Sequence, residues 1–110
     1  MDITFQSEKL RGICNDGKLR QRTFGERTSK ILGRRLDELR AAGSLADVAK
    51  LPAARCHELK GERVGQLAVD LDHPRRLIFE PADPRPSRDD GGLDWSKVTS
   101  IIVIENVDYH

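Results

Sequence analysis

The spacing of apolar residues changes period half-way along the chain. Over residues 18–42, Phe24, Thr28, Ile31, Leu32, Leu36 and Leu39 fall three or four apart, the spacing that lines one face of a helix. Arg27, Lys30, Arg34 and Arg35 lie mostly off that face. From residue 66 onward the spacing drops to two. Leu67, Val69 and Leu71 share one side of a strand over residues 66–71, and over residues 76–80 Leu77 and Phe79 take the side opposite Arg76. Helix-period sequence followed by strand-period sequence predicts an α+β domain, with N-terminal helices packed on one face of a small antiparallel β-sheet. A chain of 110 residues can bury one modest core, so a single domain over residues 1–110 is expected.

Local signals punctuate this pattern. Residues 2–5 alternate as a first strand, residues 7–14 suit a helical turn or two, and Asn15-Asp16-Gly17 is a turn. Gly25 and Gly33 each cost a helix ~1 kcal/mol relative to Ala, so a break or kink is expected near Gly25. Gly43 suits a helix stop, and Ser44 with Asp47 resembles a capping box for a short helix through Lys50. Residues 56–60 are a short strand candidate, residues 61–63 a turn, and Asp72-His73-Pro74 another. Residues 81–94, rich in proline, glycine and mixed charge, read as an irregular surface loop. Residues 97–107 form the most apolar strand, which predicts a central place in the sheet.

Net charge is only +1, but it is unevenly spread. Residues 1–40 carry ten Lys/Arg against six Asp/Glu, and residues 77–110 carry three against seven. The first half is therefore the part suited to meeting a polyanion, unless its charges simply solvate a helix face. No apolar run approaches the ~18 residues of a membrane span, and no secretory segment opens the chain. Cys14 and Cys56 do not make a disulfide framework. The expectation is a cytoplasmic protein with both thiols reduced and no membrane association. Cys56-His57 and His73 lack paired-cysteine spacing, so neither a metal nor another cofactor is called for.

The residues suited to chemistry lie in three places. His57 is followed by Lys60 and Arg63, and Arg75 and Arg76 stand at the head of a strand. Asp108, Tyr109 and His110 follow the last strand; if its alternation is unbroken, Asp108 and His110 share a face with Ile102 and Ile104. Cleavage of RNA by its own 2′-hydroxyl needs one group to remove a proton, another to protonate the leaving 5′-oxygen, and cations beside the phosphate. Imidazole suits the proton roles and guanidinium forks onto two phosphate oxygens. Each residue also has a plainer reading. His73 is a turn residue, His57 alone is more often structural, Arg76 suits a surface ion pair, and Tyr109 could be a rim aromatic.

Ala54-Arg-Cys-His57-Glu-Leu-Lys60-Gly-Glu-Arg63-Val-Gly65, the run from Val69 through Arg76 to Phe79, Gly91-Gly-Leu-Asp-Trp95-Ser-Lys-Val98 and the closing Asp108-Tyr109-His110 together resemble a known family. The chain is similar, along nearly its whole length, to the killer toxins of bacterial toxin–antitoxin modules, and specifically to the HigB branch of the RelE/ParE superfamily. The resemblance implies a RelE-like fold and a ribosome-dependent messenger-RNA endonuclease that arrests translation and growth. It implies neutralisation by a helix-turn-helix, HigA-like antitoxin, with operator DNA reached only through that antitoxin. Carried over by position, His57, Asp108, Tyr109 and His110 form the catalytic set, and Lys60, Arg63 and Arg76 are the cations on the phosphate and RNA side. General acid and general base stay open between His57 and His110. Tyr109 would stack on a base or hold the phosphate, and Asp108 would orient an imidazole. Two alternatives come with the same superfamily: a non-enzymatic, ParE-like inhibitor of DNA gyrase, or a catalytically weak co-repressor acting with its antitoxin.

Overall fold

Helix formation begins where side chains can satisfy the first free amides. In the computed structural model, which describes residues 1–108, strand β1 (Asp2–Phe5) leads into α1 (Glu8–Asn15), whose Ser7 hydroxyl accepts from the Leu10 amide at 3.1 Å. The expected turn at residues 15–17 is a helix junction. There the Asp16 carboxylate accepts from the Lys18 and Leu19 amides at 3.0 and 3.2 Å and starts α2 (Gly17–Phe24). Gly25 then breaks the long periodic stretch, as its sequence context predicts. Its φ of 88° belongs to the left-handed region, and α3 (Glu26–Ala41) starts immediately after it. The short α4 (Leu45–Val48) follows. Its expected capping box does not form: Ser44 makes no side-chain cap, and the Asp47 carboxylate accepts from the Gly43 amide at 3.1 Å instead of from Ser44.

Strands β2 (His57–Glu58), β3 (Leu67–Asp70), β4 (Arg75–Pro81) and β5 (Ser100–Asp108) complete a five-stranded sheet in the order β1-β5-β4-β3-β2. β2 to β5 run antiparallel, as expected. β1 departs from that expectation by pairing parallel with β5, Asp2 opposite Ser100, so the sheet is mixed. The physical reason is connectivity. The chain runs through all four helices before it returns to β1's neighbour, and a long crossover permits parallel pairing where a hairpin cannot. β5 is flanked on both sides, in keeping with its apolar sequence. Leu32, Leu36 and Leu39 of α3, with Leu45 and Val48 of α4, are buried against Leu67, Val69, Leu77, Phe79, Ile101 and Val103 of the sheet. Among residues 1–108 no helix is long and apolar enough to cross a membrane.

Two arginines of the basic N-terminal half are structural rather than free for a partner. Arg35 was expected off the buried face, yet it is only 6% exposed. Its guanidinium donates to the Asp70 and Ala53 carbonyls at 2.7 and 3.0 Å and pairs with Glu38 at 3.0 Å, supplying donors that the strand ends lack. Arg20 crosses from α2 over Gly33 and donates to the Cys14 carbonyl at 2.7 Å and to Ser29 at 3.2 Å. A Cβ at residue 33 would lie 2.8 Å from that guanidinium. Gly33 is thus a close-approach glycine, which outweighs its low helix propensity.

Candidate active site

One face of the sheet carries the helices, and the predicted cations lie on the other. Cross-strand partners share a face, so the pairings His57–Ala68, Ala68–Ile78 and Ile78–Glu105 form one row, and Asp70–Arg76 with Arg76–Val107 the next. Both rows alternate with core residues Leu77 and Phe79 and therefore face away from α3. Ala68 and Ile78 are nonetheless fully buried there, although they stand apart from the core cluster shared with the helices. The β2–β3 connection accounts for this. From its 3₁₀ turn (Gly61–Arg63), Arg63 donates to Gln66 at 2.9 Å and forms an ion pair with Glu105 on β5, so its side chain passes over β3 and β4.

Lys60, Arg63 and Arg76, drawn from two separate stretches of the sequence, line one shallow concavity of about 370 Å³ with Leu59 and Glu62. Arg76 approaches Asp70 with its Nε at 3.6 Å from Oδ1. Asp70 also accepts two hydrogen bonds from Arg55, at 2.7 and 3.1 Å, which hold the Arg55 guanidinium further above its usual range. Asp70, Arg55 and Glu105 were absent from the expected site. Asp70 could have been found, since strand alternation puts it on the non-core side beside Arg76. Glu105 could not, because its position depends on a register shift.

His57 is half-buried, and its Nδ1 lies 2.8 Å from the carbonyl oxygen of Arg55. A carbonyl can only accept, so Nδ1 carries the proton and the neutral ring keeps its lone pair on Nε2. The adjacent Cys56 thiol is pushed up to about 12 by burial, reinforced by the charge of Glu58. It therefore stays protonated and is no nucleophile at neutral pH.

No family model matches the chain, and none of the curated proteins does. Among solved structures, all of this chain aligns with 97% of a chain of the YoeB-YefM complex from Staphylococcus aureus, at TM-score 0.57 and 15% identity. All of it also aligns with all of the YoeB/ParE toxin from Agrobacterium tumefaciens, at TM-score 0.55 and 12% identity. The chain has the YoeB/ParE toxin fold.

Within this fold the end of β5 corrects one expectation. Phe79 pairs with Val103 but Ile78 pairs with Glu105, so Ile104 is an extra residue, a β-bulge that inverts the alternation beyond it. Glu105 and Val107 take the open face, whereas Asp108 falls opposite Arg75. Arg75 points to the helix side, where it donates to the Phe24 carbonyl at 3.1 Å and to the Thr28 hydroxyl. Asp108 therefore shares a face with Arg75 and not, as unbroken alternation implied, with Ile102, which pairs with Glu80 on the open side. Tyr109 and His110 lie outside the described residues. What the described part brings together is three cations lining one concavity, on the sheet face that also bears an imidazole with a defined lone pair at β2, an arrangement suited to a phosphodiester.

Proposed function

We propose that this chain is the toxin of a type II toxin–antitoxin module and that it acts as an endoribonuclease on ribosome-bound messenger RNA. The observation that carries the reading is the convergence of Lys60, Arg63 and Arg76 on the sheet face that bears His57, within a fold shared with YoeB/ParE toxins. On this reading the RNA 2′-oxygen attacks the adjacent phosphorus and the bond to the 5′-oxygen breaks, leaving a cyclic phosphate and a free 5′-hydroxyl. His57 and His110 supply the two proton transfers, one taking the 2′-proton and the other protonating the departing oxygen. Arg76 and Lys60, with Arg63 beside them, stabilise the charge that grows on the phosphate. Tyr109 stacks on a base or holds the phosphate.

Dependence on the ribosome follows from the shortage of aromatic side chains. Readers of single-stranded RNA splay bases onto several aromatics, and this chain has three Phe, one Trp and one Tyr in all. Another particle must therefore position the message. The motifs around His57 and Asp108 favour the HigB branch, and with it a HigA-like helix-turn-helix antitoxin that neutralises the toxin and links it to operator DNA. That one structural neighbour is a complex with YefM supports a protein partner, without bearing on its fold. The test is to incubate purified protein with one message, free and in a programmed ribosome complex, and to map cut sites by primer extension. Cleavage confined to the ribosome-bound message is expected. Growth arrest with no cut message would transfer the reading to inhibition of gyrase.

A further inference from the structure

Arg55 occupies a backbone conformation that a glycine or asparagine would adopt at lower cost. Its φ is 43°, and among the described residues it is the non-glycine residue with positive φ. Three contacts hold it there. Its amide donates to the Pro52 carbonyl at 3.2 Å, the carbonyl of Ala54 before it accepts from the Asp70 amide at 2.7 Å, and its guanidinium forks onto the Asp70 carboxylate at 2.7 and 3.1 Å. The remaining group of the residue, its own carbonyl, accepts from His57 Nδ1 at 2.8 Å. A turn that needed only positive φ would not need this side chain. An arginine here ties the orientation of one carbonyl to a carboxylate on β3, the same carboxylate that Arg76 approaches at 3.6 Å.

We propose, building on the cleavage reading above, that Arg55 is a positioning residue for His57. Its clamp on Asp70 aims the Arg55 carbonyl at Nδ1 and so keeps the lone pair of the neutral imidazole on Nε2, the nitrogen left for the substrate. The clamp also joins the proton-transferring side chain to the Arg76 side of the site through Asp70.

The test uses nitrogen-15 spectra of the full chain at a pH where the ring is neutral, with His57 assigned by comparison with H57Q. Wild-type protein should show a protonated Nδ1 and a bare Nε2. In R55A and R55G the ring should move towards the opposite tautomer, and in R55K only part-way. The same variants should lower the single-turnover rate roughly 2- to 12-fold, the range of one ordinary hydrogen bond, with KM unchanged. Ring shifts in R55G equal to wild type overturn the proposal, as does a bare Nδ1 in the wild-type protein. R55G accepts the positive φ without strain and so carries the measurement if R55A does not fold. The spectra need no substrate; a wild-type protein that cuts no RNA therefore removes the cleavage reading and leaves the tautomer result to be judged alone.

Discussion

At the scale of single residues, the cations and thiols allow the sharpest tests. On the proposed reading Arg76→Ala removes a forked contact to a developing charge, and changes of that type cost about 10²–10³ in rate. Arg76→Lys should recover only part of it, since a point charge does not reproduce the fork. Single-turnover cleavage of ribosome-bound message reads both, and an unchanged rate in Arg76→Ala would reassign Arg76 to a structural ion pair. Cys56 makes a different prediction. Its thiol titrates near 12 in the fold, against an ordinary value of 9.0. Above pH 9 the unfolded chain therefore loses this proton while the folded chain keeps it, so the stability associated with it is full below pH 9 and is lost as pH rises towards 12. The slope is about 1.4 kcal/mol per pH unit for one such thiol. Thermal midpoints of wild type and Cys56→Ala should diverge in this window, the variant falling less steeply; parallel curves would show that Cys56 ionises normally.

At the scale of elements, most of the fold was legible from period and punctuation, and the misreadings share one cause. Leu32, Leu36, Leu39, Leu67, Val69, Leu77 and Phe79 stand out by spacing alone and all reach the core. The break at Gly25 was legible because a glycine interrupts an otherwise helical run. Arg35 and Asp108 were misplaced because each depends on something distant. Arg35 finds carbonyls of residues 53 and 70, and Asp108 is turned by a bulge that exists only against β4. No local pattern carries either fact. The cations Lys60, Arg63 and Arg76 stand out by residue type, but the carboxylates beside Arg63 and Arg76 needed the register. The crossing of α2 and α3 gives a test at this scale. Gly33→Ala should stabilise by about 1 kcal/mol in an Arg20→Ala background, where helix propensity alone acts. In the wild-type background the gain should vanish or reverse, because the new methyl meets the Arg20 guanidinium. Denaturant midpoints of the four proteins measure this coupling, and equal effects in the two backgrounds would remove the close approach as the reason for Gly33.

At the scale of the whole molecule, the two basic regions lie on opposite sides of the sheet. The helix layer exposes Arg22, Arg27, Lys30 and Arg34, while the open face holds Lys60 and the cations beside it. The molecule is only 25 Å across in its thinnest direction, so both could touch one large nucleic-acid particle at once. On the proposed reading the helix layer docks on ribosomal RNA. Affinity for the ribosome should then fall steeply with salt, and Arg27→Ala with Lys30→Ala should flatten the log–log slope by roughly one for each phosphate no longer neutralised. Filter binding at several ionic strengths checks this, and an unaltered slope would leave docking to the open face.

The pairing of β1 with β5 also bears on when the chain can complete its fold. Asp2 is synthesised long before Ser100, its neighbour in the sheet. Until β5 arrives, β1 has no strand to pair with, and Arg63 has not met the Glu105 that holds it across the open face. A pairing so distant along the chain forms late and slowly. On the proposed reading, a ribosome translating this message is therefore spared by its own product until the last strand has emerged, and an antitoxin already present has that interval in which to meet a chain that cannot yet cut.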